Sequence, residues 1–164
     1  MNPEAAIYTI GGIAAEKNIW ANKVFNAVFN DYAEYRESIE VIKPGRCVRE
    51  ISDNGELGLT QSRLMPGAQI VSDTFGHSMG MTNNAQTPVA VAGRVLAYTY
   101  QDRSNYHTGM AVCSAPNGTI DIMTREEMIK YPDAIIGIVS EIPNYDTWGS
   151  DNVNVNGRIW IKVR

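Results

Sequence analysis

Apolar and polar positions alternate most cleanly near the C-terminus. Val153, Val155, Ile159, Ile161 and Val163 share one parity. Asn152, Asn154, Asn156, Arg158, Lys162 and Arg164 take the other, where Trp160 joins them. Successive side chains of a strand point to opposite faces, so the segment predicts a strand with one apolar and one wetter face. Turn signals recur at Pro44-Gly45, Asn54-Gly55, Pro66-Gly67 and Asn117-Gly118. Asn-Gly tolerates positive φ at both central positions, which suits tight hairpins. One short helix is expected. Thr124 can cap it with Glu127 three residues on, as in a capping box. It should run to Lys130 and stop before Pro132, because the residue preceding a proline disfavours the α region.

The alternating segments also repeat. Pro88-Val-Ala-Val-Ala-Gly-Arg-Val-Leu-Ala echoes Asn152-Val-Asn-Val-Asn-Gly-Arg-Ile-Trp-Ile, placing Gly93 and Arg94 64 positions before Gly157 and Arg158. Gly45 and Gly109 keep the same spacing, and Ile70-Val71-Ser72-Asp73 is echoed 68 residues later by Ile138-Val139-Ser140-Glu141. Residues 41–101 and 105–164 therefore read as two copies of one β unit, the second lengthened by the helix. Two copies are too few for a solenoid. The expected fold is mostly β, a compact barrel or sandwich built from two related β halves with one short helix.

Residues 1–30 belong to neither copy and read as an extended N-terminal β arm ahead of a domain at 31–164. Ile7-Tyr8-Thr9-Ile10 and Asn18 to Asn30 are strand-like, although Trp20, Val24 and Val28, four apart, and Phe25 and Phe29 also fit a helical period. In either form these five side chains need burial, which an isolated hairpin provides poorly. They are expected to pack on their own domain as an edge hairpin or on copies of themselves, as in a homotrimer with a shared β stem.

Composition narrows the function classes. The chain has 164 residues, 44% of them hydrophobic and 20% charged, with a net charge of −4. That is the composition of a globular domain. Nucleic-acid binding, which needs clustered Lys and Arg, is not expected. No apolar run approaches the roughly 18 residues of a membrane span, and Met1-Asn2-Pro3-Glu4 is not expected to open a signal peptide. Cys47 and Cys113 are expected to be free thiols in a reducing compartment.

Candidate chemistry is sparse. No Walker loop, nucleophile elbow, dinucleotide fingerprint or zinc-ligand spacing is present, so neither a cofactor nor a metal is expected. Cys47 could pair with His77 or His107 as thiol and imidazole, against the simpler reading of a buried thiol and surface histidines. The carboxylate-rich segment Asn30-Asp31-Tyr32-Ala33-Glu34-Tyr35-Arg36-Glu37 joins the arm to the first copy. Asp31 and Glu34 point to opposite faces in a regular strand but can converge in a turn, or Glu34 can meet Asp31 of a neighbouring subunit. Two nearby carboxyl groups split their pKa values into an acid and a base. The simpler reading is a turn followed by an Arg36-paired surface strand.

The run Asn30-Asp31-Tyr32-Ala33-Glu34-Tyr35, followed by Ile42-Lys43-Pro44-Gly45, resembles the start of the peptidase G2 family. These are the C-terminal intramolecular-chaperone, autoproteolytic domains of bacteriophage tail-fibre, tailspike and neck-appendage proteins. Ile136-Gly137-Ile138-Val139-Ser140 and Val153-Asn154-Val155-Asn156-Gly157-Arg158-Ile159-Trp160-Ile161-Lys162-Val163 extend the resemblance over residues 25–164. It implies a homotrimeric domain that holds three chains in register while an upstream fibre shaft folds and then cuts itself off. The protein would be virion-associated or released into the bacterial cytoplasm during assembly. Carried onto this sequence, the scissile bond is Asn30–Asp31, Asp31 and Glu34 are the catalytic carboxylates, and residues 1–30 end the shaft. Self-cleaving members tend to have Ser before that Asp; here it is Asn30, which could only cyclise slowly onto its own backbone. The rival reading is a permanent, non-enzymatic fibre-tip or decoration domain that binds a host receptor or glycan through the Tyr- and Asn-rich loops at 98–106 and 144–156.

Overall fold

The computed structural model describes residues 30–149 and 152–163. The protein is mostly β. The described residues form β1 (Asp31–Arg36), β2 (Cys47–Glu50), β3 (Leu57–Leu59), β4 (Gln69–Ile70), β5 (Phe75–Met79), β6 (Thr87–Ala97), β7 (Ala111–Ala115), β8 (Thr119–Ile122), α1 (Arg125–Lys130), β9 (Gly137–Glu141), β10 (Thr147–Trp148), β11 (Val153–Asn154) and β12 (Ile159–Val163). Seven strands make one sheet in the order β5-β1-β6-β12-β9-β7-β8. A second sheet is β3-β2-β4, and β10 and β11 form a small hairpin. Beyond β6 the chain bridges to β8 at Thr99 and Ile120, so the large sheet curls back on itself. β5 is left as an edge strand beside β1. The residues proposed for an oligomer interface, Trp20, Val24, Phe25, Val28 and Phe29, lie outside the described residues.

The pairing register repeats along the chain. In the first unit Val48 faces Leu59 and Cys47 faces Ile70. In the second, Val112 faces Ile122 and Ala111 faces Ile138. These positions are displaced by 64 (48 to 112), 63 (59 to 122) and 68 (70 to 138), close to the spacings of the sequence echo. β6 and β12 pair antiparallel about Leu96 and Trp160, themselves 64 apart, with Val95 opposite Ile161 and Ala97 opposite Ile159. Corresponding residues of the two sequence echoes therefore lie opposite one another in the β6–β12 pair.

That central pair is buried on both faces. Val95, Ala97, Ile159 and Ile161 enter the main core with Cys47, Ile70, Tyr106, Val112, Ile120 and Val139. Leu96 and Trp160 point the other way, into a cluster with Val155 that Tyr145, Trp148 and Val153 flank. The wetter face expected around Trp160 is thus corrected. The β10–β11 hairpin supplies aromatic cover there, and Tyr145 Oη accepts the indole N–H at 2.7 Å. Burying an indole needs such a partner, since an orphaned N–H costs more than the bond itself contributes.

Helix α1 begins as expected. The Thr124 hydroxyl accepts from the Glu127 backbone N–H while the Glu127 carboxylate accepts from the Thr124 N–H, completing the capping box. The helix ends at Lys130, before Pro132.

Candidate functional site

β1 carries the carboxylate-rich segment. It lies between β5, which it meets in parallel, and β6, which it meets antiparallel with Asp31 opposite Gly93. Both pairings shift register next to Tyr32. Burial alternates along the strand: Asp31 and Ala33 face inward, Tyr32 and Glu34 outward.

The Asn30–Asp31 peptide is held unusually closely. The Asn30 carbonyl accepts the Arg94 backbone N–H at 2.8 Å. Beneath it, Gly93 has φ +109, and a Cβ there would sit 2.7 Å from Asp31 Cα, 3.0 Å from the Asn30 carbonyl carbon, and nearer still to the carbonyl oxygen. Only glycine fits both the backbone conformation and the space. Gly157, its counterpart in the second copy, also has positive φ (+75) but nothing within 4 Å. The left-handed turn therefore belongs to the repeat, whereas the close approach arises because β1 lies on the first copy alone.

Asp31 is fully buried. Its Oδ1 accepts from Thr74 Oγ1 at 2.8 Å, and its Oδ2 has no hydrogen-bond partner among the described residues. Burial pushes this carboxyl up to about 6. Hydrogen bonding from Ser72 and Thr74 opposes the shift, and the negative charge of Asp73 adds to it. Ser72 in turn fixes Thr74, whose backbone N–H donates to the Ser72 hydroxyl at 3.0 Å.

The Asn30 side chain is also confined. Its Nδ2 is buried and has no partner among the described residues. Its Oδ1 accepts from the Arg94 guanidinium at 3.4 Å. The same guanidinium reaches Glu141 at 3.4 Å and lies 5.0 Å from the Trp160 ring centroid. In the other half, Arg158, almost wholly buried, holds Asp73 with two bonds of 2.8 and 2.9 Å. Arg94 and Arg158 are 64 apart, and Asp73 and Glu141 are 68 apart. Each half thus contributes an arginine to the acid of the other. This also corrects Arg158 as a residue of the wetter face.

Glu34 is not brought to Asp31. It lies on the outer face of β1, about 10 Å farther along at roughly 3.3 Å per residue. It pairs there with Arg36 at 3.7 Å, and Arg36 also reaches Glu50 at 2.5 Å. In the single chain Asp31 exposes no surface. Sequence reading singled out Asn30 and Asp31 but did not foresee Ser72, Thr74, Gly93 and Arg94 around them. Gly93 and Arg94 were visible only as anchors of the repeat.

Two further features lie elsewhere in the molecule. Cys47 is free and fully buried, and burial pushes its thiol up to about 12, so it is a poor nucleophile. A shallow cleft of about 200 Å³ is lined by Lys43, Asp73, Tyr98, Asn154, Asn156 and Arg158. Among the described residues no cluster of three or more His, Cys, Asp or Glu side chains could hold a metal ion. Compared with known proteins, the chain matches no family model, no curated protein and no solved structure.

Proposed function

We propose that the chain is the C-terminal trimerisation and intramolecular-chaperone domain of a phage fibre or appendage protein, and that it cuts itself at Asn30–Asp31. The observation that supports this is the treatment of that one peptide. Its carbonyl is bonded to Arg94, its backbone is pressed on Gly93, and the carboxyl that follows it is buried with one oxygen unpaired. An ordinary strand start has no use for a half-satisfied buried carboxylate, and strongly perturbed groups cluster at functional sites.

The assembly role has a physical rationale. Pairing three fibre chains in register is slow, because loop-closure entropy is lost before non-local contacts form. A domain that trimerises first raises the effective concentration of the shaft ends. Its later removal leaves a shaft without its nucleus, so the product is kinetically stable. Residues 1–30 are then the last piece of shaft, and the protein is virion-associated or released inside the bacterial host. Sedimentation of the full-length Asp31→Ala chain tests the assembly part. A species near 54 kDa, three times 18.1 kDa, is expected, and a monomer throughout the micromolar range overturns it.

A second reading is favoured by the cleft at Tyr98. Lys43, Asn154 and Asn156 around it are groups that hydrogen-bond sugars, as in a permanent fibre tip that binds a host glycan. An uncut trimer that binds bacterial surface polysaccharide, and loses binding on Tyr98→Ala, would establish it instead.

A further inference from the structure

We propose that Asn30 is itself the nucleophile, its side-chain Nδ2 attacking its own main-chain carbonyl carbon so that the Asn30–Asp31 bond breaks by succinimide formation rather than by hydrolysis. The inference rests on the reading of Asn30–Asp31 as the bond that is cut.

Hydrolysis needs a water at the carbonyl and a second group to activate it. Asp31 exposes no surface, and Glu34 is on the far side of β1 beside Arg36. Cyclisation needs neither. The attacking nitrogen is tethered to the carbonyl it attacks, so no reactant has to be gathered, and holding the peptide in one geometry supplies much of what a slow intramolecular reaction lacks. Asn30 Nδ2 is buried with no hydrogen-bond partner among the described residues, so nothing there competes for it.

Arg94 acts at two points. Its backbone N–H donates to the Asn30 carbonyl oxygen at 2.8 Å, where negative charge develops as the tetrahedral centre forms, and such a donor is placed as in an oxyanion hole. Its guanidinium, 3.4 Å from Asn30 Oδ1, draws electron density from the carboxamide and makes the N–H more acidic. Arg94 is therefore a positioning and polarising residue. Gly93 allows the carbonyl to lie against it.

The bonds balance without another reactant. A C–N bond forms between Asn30 Nδ2 and the Asn30 carbonyl carbon, and the bond from that carbon to the Asp31 nitrogen breaks. Nδ2 gives up one proton and the departing Asp31 nitrogen gains one, becoming a free amine. The Asp31 carboxyl, on the residue that leaves and held by Thr74, is the group placed to carry that proton. The N-terminal fragment ends in a ring imide, one water lighter than the hydrolytic product, and opens later to asparagine and its isomer.

The experiment is acid-quenched mass analysis of both fragments from the freshly assembled full chain, with Asn30→Ala and Asn30→Gln alongside. Asn30→Gln keeps a carboxamide beside Arg94 but must close a larger ring, so it guards against a loss that is merely structural. The expected result is an N-terminal fragment one water short at the earliest times, a C-terminal fragment beginning at Asp31, and loss of cleavage in both variants while they remain assembled. Cleavage with a free Asn30 carboxyl from the first time point, or cleavage retained in either variant, overturns the cyclisation and leaves the self-cutting domain standing. An assembled chain that never cuts overturns both.

Discussion

Replacing Gly93 by alanine separates the demand of the repeat from the demand of the site. Two costs are combined in Gly93→Ala. The first is backbone strain at φ +109, about 1–2 kcal/mol for a side chain forced into the left-handed half of the map. The second is steric. The new Cβ would lie 2.7 Å from Asp31 Cα, and because backbone rather than a flexible side chain is in the way, β1 and β6 must part. Overpacking of this kind costs about 1–3 kcal/mol. Gly157→Ala carries only the first cost, since nothing lies within 4 Å of that position. The two variants should therefore differ by about 2 kcal/mol, which at roughly 4 °C per kcal/mol is a gap of about 8 °C in Tm. Urea unfolding followed by tryptophan fluorescence, at one protein concentration, measures the difference directly. Self-cleavage should be lost in Gly93→Ala and kept in Gly157→Ala. Equal destabilisation of the two would refute the close packing of the Asn30–Asp31 peptide on β6, and with it the geometric basis of the site.

Three further outcomes follow from the same contacts. Asp31, raised from 3.8 to about 6, binds its proton more tightly in the folded chain, so its contribution is complete below pH 4 and is lost as pH rises through 6. The gap corresponds to about 3 kcal/mol, and denaturation at pH 4 and pH 7 should show the native chain losing that much relative to Asp31→Asn. Asp73→Ala leaves Arg158 buried without its carboxylate and should cost about 3 kcal/mol in urea unfolding. It should also bring the Asp31 pKa down, since a nearby negative charge is lost and a cation uncovered. Thr124→Ala removes the hydroxyl of the capping box and should cost about 1 kcal/mol by the same measurement, with no effect on cleavage.

What could be read beforehand follows from which interactions are local. The capping box at Thr124 and Glu127 lies within four residues and was legible. So were the echoes that set Gly93 against Gly157 and Asp73 against Glu141, because related strands keep their alternation and their turn glycines. The burial of Trp160 and Arg158 was not legible. Both share their parity with polar residues and alternate with apolar ones, and what covers them, the β10–β11 hairpin and Asp73, is fixed by tertiary pairing. Asp31 shows the same limit from the other side. Its neighbours in sequence suggested a carboxylate partner in Glu34, but the strand geometry separates the two by face. The groups that surround Asp31, Ser72, Thr74 and Gly93, come from 41 to 62 positions away. Arg94 was legible as a repeat anchor but not as the residue that grips Asn30.

Cleavage of the Asn30–Asp31 peptide is the proposed step on which the function of this domain depends. Intact mass under denaturing conditions, on the assembled chain at successive times and on Asp31→Ala, tests it most directly. The 18.1 kDa species should give way to a fragment beginning at Asp31, and Asp31→Ala should stay whole. A single uncut species from a confirmed trimer, or a cut at any other bond, would contradict it.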